Sequence, residues 1–264
     1  HRFCKRDSAS PSLETEVAFG NVYCTTPMAV MDARAYNWGK IWARDALKMA
    51  SFYEKLRQLR RRLGQTYREE YDILVNTAIL AADTLPHDTA LGLDAWQPYA
   101  LKALPRRAFV ALVALWNRMQ RAGIAPWQMV MGLIVFLSKP TGGERPIGLL
   151  TMLTRLWERC HRTASTEWTQ EKAGPWDSAV KGSSALRAAL MSSFCCEAAV
   201  VRGEDAATLF VDIQTFYDNI DLSRLIDKMV ELDYPEYLLL ISCQVMAGPR
   251  GVSDCSTYSE WMYP

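Results

Sequence analysis

Lys139 and Arg145 stand on either side of a Pro-Thr-Gly-Gly turn, and Asp212 closes the apolar stretch Thr208–Val211 about sixty residues after that segment ends. Nucleotidyl transfer asks for these residue types: an acid to hold a divalent cation, cations on the departing phosphates, and a fixed line between the attacking hydroxyl and the α-phosphate. Arg145 can donate a fork of hydrogen bonds to a phosphate, and Lys139 can act as a point charge. Gly142 and Gly143 let the backbone come close to a ligand. Taken singly, Asp212 is an ordinary strand-end acid and the two cations are exposed turn residues. Their combination points to a triphosphate and the metal that travels with it.

Three elements must position these groups. Val130–Leu137 is a continuous apolar run that ends in Ser138-Lys139-Pro140, the pattern of a buried strand entering a turn. The chain resumes at Ile147, and Leu149, Leu150, Leu153, Leu156 and Trp157 have a spacing closer to helix than to strand. Thr208–Ile213 reads as a second strand, with Asp221 capping a following helix whose apolar face is Leu222, Leu225, Ile226, Met229 and Val230.

Upstream, residues 1 to 33 carry Ser, Pro and Thr clusters without periodicity and are expected to be loop or weak structure. Asn37 to Leu80 is helical in pattern, with Leu56, Leu59 and Leu63 on one face and Gly64 as a point of bending or division. Another amphipathic helix should follow Pro105 and stop at Gly123, its core stripe being Phe109, Leu112, Val113, Trp116 and Met119.

The chain has 264 residues, 50% of them hydrophobic, which suits a globular protein of one large or two modest domains. No apolar run approaches the roughly 20 residues of a membrane helix, so no membrane role is expected. The seven cysteines form no C-x-x-C pair and only three histidines are present, which argues against a zinc or disulfide framework. Reduced core cysteines fit an intracellular setting. A net charge of +1 hides an asymmetry: Arg34 to Arg68 holds ten Lys or Arg against two acids, and Gly203 to Glu236 holds nine acids against two basic residues. One part suits a polyanion and the other a cation. Arg57, Arg60, Arg61 and Arg62 read alone as a solvated helix face; beside a phosphate-handling motif they read as a nucleic-acid-binding face, and they would also suit a nuclear-import signal.

Lys139-Pro-Thr-Gly-Gly-Glu-Arg145-Pro-Ile147 resembles the fingers motif of reverse transcriptases, and Phe210-Val-Asp212 through Ile220 resembles their first palm motif, nearest the non-LTR retrotransposon and group II intron branch. Gly92-Leu-Asp94 through Lys102 is similar to the family's opening Gly-x-Asp segment, and Lys181-Gly-Ser-Ser through Leu190 to the stretch before the first palm strand. The order is colinear over residues 91 to 241. The resemblance implies an α+β, helix-rich right-hand polymerase: a basic helical extension over residues 1–90, a fingers-like region over 91–203 and a partial palm over 204–264. It further implies that Asp212 and the Ile213 carbonyl ligate Mg2+, that Lys139 and Arg145 hold a dNTP, and that Tyr217 crowds a ribose 2′-hydroxyl to select deoxynucleotides. RNA template and DNA primer would be the partners. Asp218 is expected to be structural, and Gln214 and Thr215 depart from the family pattern.

No Phe/Tyr-x-Asp-Asp and no Pro-Gln-Gly occurs in the sequence, and Gly248-Pro-Arg-Gly251 is too unlike the latter. Two-metal catalysis needs a second acid cluster, so this chain alone is expected not to polymerise. With His1 in place of Met and no terminal signal at Pro264, it is expected to be a window on a longer protein. Two other readings stand beside this one. A viral-type RNA-dependent RNA polymerase shares the strand-borne acid, although Tyr217 stands where that class often has an acid. A decayed, non-catalytic RNA-binding remnant would keep the basic helix and lose nucleotide binding.

Overall fold

The computed structural model describes residues 17–19, 22–43, 45–140, 143–213, 216–253 and 257–263. In chain order the elements are β1 (Val17–Phe19), β2 (Val22–Cys24), α1 (Pro27–Trp42), α2 (Ala46–Thr66), α3 (Val75–Asp83), α4 (Pro98–Lys102), α5 (Arg106–Ala122) and α6 (Trp127–Val130). They are followed by β3 (Gly132–Ser138), β4 (Glu144–Leu150), α7 (Met152–Cys160), α8 (Arg162–Lys172), α9 (Ala185–Arg202), α10 (Leu222–Glu231), α11 (Glu236–Met246) and β5 (Arg250–Val252). The α+β, helix-rich class is as expected. The chain divides into two compact units, His161–Tyr217 forming one and the residues on either side of it the other.

The larger unit is built on a helical core. Phe52, Leu56, Leu59 and Leu63 recur at helical spacing along α2 and are buried with Phe109, Val113, Trp116 and Met119 of α5, Leu156 and Trp157 of α7, and Leu238 to Ile241 of α11. Each such large side chain contributes about 1.5–3 kcal/mol by leaving water. The α5 stripe is the expected one, with Leu112 only partly buried, and Gly123 ends the helix in the left-handed region at φ 61°. Trp157 donates to Gln120 at 2.8 Å, and the Gln120 amide donates in turn to the Tyr67 hydroxyl and the Tyr71 carbonyl, so this buried amide is satisfied.

A second layer is the sheet β4-β3-β5, with β3 antiparallel to β4 and parallel to β5. Strand β3 is covered on both faces. Ile134 and Phe136 pack under Val30, Met31 and Ala35 of α1, while Leu133 and Val135 face the other way with Leu149. Double coverage is why the sequence shows a continuous apolar run there instead of alternation.

Four expectations are corrected. Residues 1 to 33 are not uniformly irregular: α1 begins at Pro27, whose fixed φ suits the first helical turn, and β1 pairs with β2 before it. The helical stretch Asn37–Leu80 is three helices, divided where Asp45 caps α2 and after Tyr67, with Gly64 inside α2. Ile147–Leu150 is strand, because each residue there has a register partner on β3, and the helix starts only at Met152.

The fourth correction falls in the smaller unit, which holds α8 and α9 and buries no residue of either helix. Thr208–Ile213 is not a strand. Among the described residues nothing pairs with it, and an apolar segment without a ladder partner has no place for its backbone groups except water. Leu209, Phe210 and Val211 are accordingly 84%, 89% and 76% exposed.

Candidate nucleotide-binding hairpin

Strands β3 and β4 form a hairpin in register from Gly132↔Leu150 to Ser138↔Glu144. The Lys139 amide donates to the Gly143 carbonyl at 2.9 Å and closes a five-residue loop, with Gly143 at φ 81° and open space where a Cβ would stand. Thr141 and Gly142 lie outside the described residues. Lys139 and Arg145 are exposed at the two ends of this loop, and neither forms an ion pair with a described residue. Two cations at one hairpin tip, close to a glycine that leaves the backbone bare, form a surface suited to a phosphate chain.

Arg34 and Glu144 form a part-buried ion pair at the base of this tip, Nε donating to Oε2 at 3.1 Å and Nη2 to Oε1. Sequence reasoning missed Arg34. The only signal was an arginine set among Val30, Met31, Ala33 and Ala35 on a face that turns out to be buried. It also missed Trp42, whose indole N–H donates to Asp218 Oδ1 at 2.7 Å.

Asp212 and Ile213 belong to the smaller unit, both exposed, and Gln214 and Thr215 are outside the described residues. Tyr217 opens a 3-10 turn, Tyr217–Asn219, whose last residues lead into the Asp221 cap of α10. Asp221 accepts from the amides of Ser223 at 2.9 Å and Arg224 at 3.2 Å, as the sequence suggested.

The described residues do not by themselves make a metal centre. Among the described residues no group of three His, Cys, Asp or Glu is placed to hold an ion. The acids that line one depression, Asp45, Asp218 and Asp221, are committed to the α2 amides, the Trp42 indole and the α10 amides respectively. Asp212 offers one carboxylate, so a Mg2+ there would complete its octahedral shell with water and substrate phosphate oxygens.

The four arginines of α2 do not form one open face. Arg60 donates to the Gly123 carbonyl at 3.2 Å and Arg62 pairs with Glu236 at the start of α11, while Arg57 pairs with Glu54 at 2.7 Å. Arg61 is exposed. Lys48 and Lys55 meet Asp221 and Asp227 of the α10 segment. The basic and acidic stretches of the sequence are therefore partners of each other in part, and only the remainder is open to a ligand.

The Gly92-x-Asp94 segment has a structural account. A Cβ at Gly92 would lie 2.2 Å from the Leu150 carbonyl oxygen, and Asp94 accepts from the Leu153 amide at 3.2 Å at the start of α7. The segment locks the end of β4 to the helix after it. Of the five described cysteines, none is paired; Cys243 is buried and Cys195 exposed, so the expected core role holds for some and not for all. Among the described residues no helix is long and apolar enough to cross a membrane.

No protein-family model matches the chain. The chain is 37% identical over 93 residues to a probable RNA-directed DNA polymerase from transposon BS of Drosophila melanogaster, a stretch that covers 33% of this chain and 10% of the relative. The chain thus matches about a tenth of that protein's length. Over this stretch the resemblance to a reverse transcriptase domain is borne out.

Proposed function

We propose that this chain is the fingers region and first palm segment of an RNA-directed DNA polymerase, and that the β3–β4 hairpin receives the triphosphate of an incoming dNTP. The observation that carries the reading is the hairpin tip: Lys139 and Arg145 exposed on either side of a glycine turn, without an ion pair to a described residue. The transposon polymerase similarity supports the family-level activity. In this reading Arg145 donates its guanidinium fork to phosphate oxygens and Lys139 adds a compact positive charge. Tyr217 restricts the sugar to the deoxy form. Template and primer backbone meet Arg61, and Arg57 by exchange of its exposed pair with Glu54 for phosphate, without a reading of sequence. Asp212 and the Ile213 carbonyl would be contributors to a Mg2+ site whose remaining ligands the described residues do not supply.

Titration of the chain with a fluorescent dNTP in the presence of Mg2+ tests the reading. Lys139→Ala and Arg145→Ala should each weaken binding by about 1.5–3 kcal/mol, the worth of a hydrogen bond to a charged group. Tyr217→Ala should leave dNTP affinity in place and raise rNTP affinity toward it. Equal affinity in wild type and both cation variants would remove the hairpin from the account. Salt-sensitive RNA binding with no dNTP binding would favour the non-catalytic RNA-binding remnant.

A further inference from the structure

We propose that Arg34, upstream of every motif singled out above, is the positioning residue of the phosphate-handling hairpin and acts through Glu144. The inference rests on the triphosphate reading of Lys139 and Arg145. Arg34 is 4% exposed, its guanidinium 5.6 Å from the Phe136 ring centre and its fork on both Glu144 oxygens. A lysine in that place would offer a point charge without the planar fork.

The consequence follows from the geometry of a strand. Glu144 is the last register partner before the loop, opposite Ser138, and Arg145 is opposite Leu137. Successive side chains point to opposite faces, so a Glu144 pinned toward α1 sends Arg145 to the other face. A slip of one residue would reverse both, drawing the arginine under α1 and setting a carboxylate beside Lys139. Gly143 stands in the left-handed region with open space where a Cβ would be, so it brings no side-chain packing to hold the turn. The restraint has to come from the base. Helix α1 is fit to give it, with Val30, Met31 and Ala35 packed on Ile134, Phe136 and Val252, and Trp38 at 5.7 Å from Phe136.

Two measurements on the 264-residue chain test this, each made on wild type, Arg34→Lys and Glu144→Gln, substitutions that keep bulk and are milder than truncation. The first is amide hydrogen exchange. Exchange should rise over residues 138–146 and stay slow in the Leu133–Phe136 segment and in α5. The second is affinity for dGTP with Mg2+, and for tripolyphosphate alone, which should fall on the order of tenfold through misplacement of Arg145. Unchanged exchange at the hairpin tip in both variants would overturn the proposal whatever the nucleotide result. A loosened tip with unchanged affinity would overturn it too, because Arg34 would then be structural only. The parallel Lys139→Ala and Arg145→Ala titrations separate the two claims: if those variants bind as wild type does, the triphosphate reading fails by itself. Weakened binding there and in Arg34→Lys and Glu144→Gln together, with faster exchange at the tip in the latter two, is the expected result.

Discussion

A methyl group at Gly92 has nowhere to go, because the Leu150 carbonyl oxygen would lie 2.2 Å from it and the Thr151 Cα 2.8 Å. Gly92→Ala should therefore cost about 3 kcal/mol in a denaturant titration, as overpacking against rigid backbone does. His161 gives a second prediction at this scale. It is 7% exposed, and burial holds its pKa down at about 4, below the ordinary 6.5. The unfolded chain then binds a proton between those values that the folded chain refuses, so this contribution to stability is whole above pH 6.5 and is lost as pH falls toward 4. The loss approaches about 3 kcal/mol. His161→Gln should flatten that part of the stability profile, read as melting temperature against pH. Residues of this kind show how much the sequence can disclose. Gly92 and Asp94 were legible as a motif, yet what they do needed the backbone of Leu150 and the amide of Leu153. Arg34 showed only as an arginine among small and apolar residues, and its role was not legible because its partner is 110 residues away.

Elements were readable where their signals are local. Strand β3 and helix α5 announced themselves by an unbroken apolar run and by a stripe between Pro105 and Gly123. Helix α1 was hidden because Thr26 makes no side-chain cap bond and the preceding residues have turn composition. Strand β4 was hidden because its partner, not its own alternation, makes Ile147–Leu150 extended. The charge asymmetry was visible, but only folding reveals that Lys55 meets Asp227 and Arg62 meets Glu236. These contacts tie α2 to α10 and α11. Exposed pairs of this kind are worth about 0–1 kcal/mol each, so Asp227→Asn should lower stability by no more than that, with the effect fading as salt is raised. Asp221→Ala removes a cap from α10 and should cost about 1 kcal/mol, a clear excess over Asp227→Asn in the same denaturant titration.

At the scale of the molecule, the larger unit carries the core and the smaller one is open. Helix α9 buries no side chain, and Leu209–Val211 is exposed. Limited proteolysis should therefore cut between Gly203 and Ile213 well before it cuts α5 or α11, read by mass of the first fragments. The apolar character of Thr208–Ile213 was legible and its conformation was not, because a strand is a property of a pair. Primer extension by this chain should be absent, since the sequence has no aromatic-x-Asp-Asp to accompany Asp212. The hairpin from Lys139 to Arg145 is proposed to hold the triphosphate. A dNTP with a photoreactive group on its γ-phosphate, crosslinked to the chain in Mg2+ and mapped by peptide mass, puts this to the test. Label is expected on the peptide holding residues 139 to 145, competed by unlabelled dNTP and lost in Lys139→Ala; label confined to other peptides, or unaffected by that substitution, would contradict a triphosphate site at the hairpin.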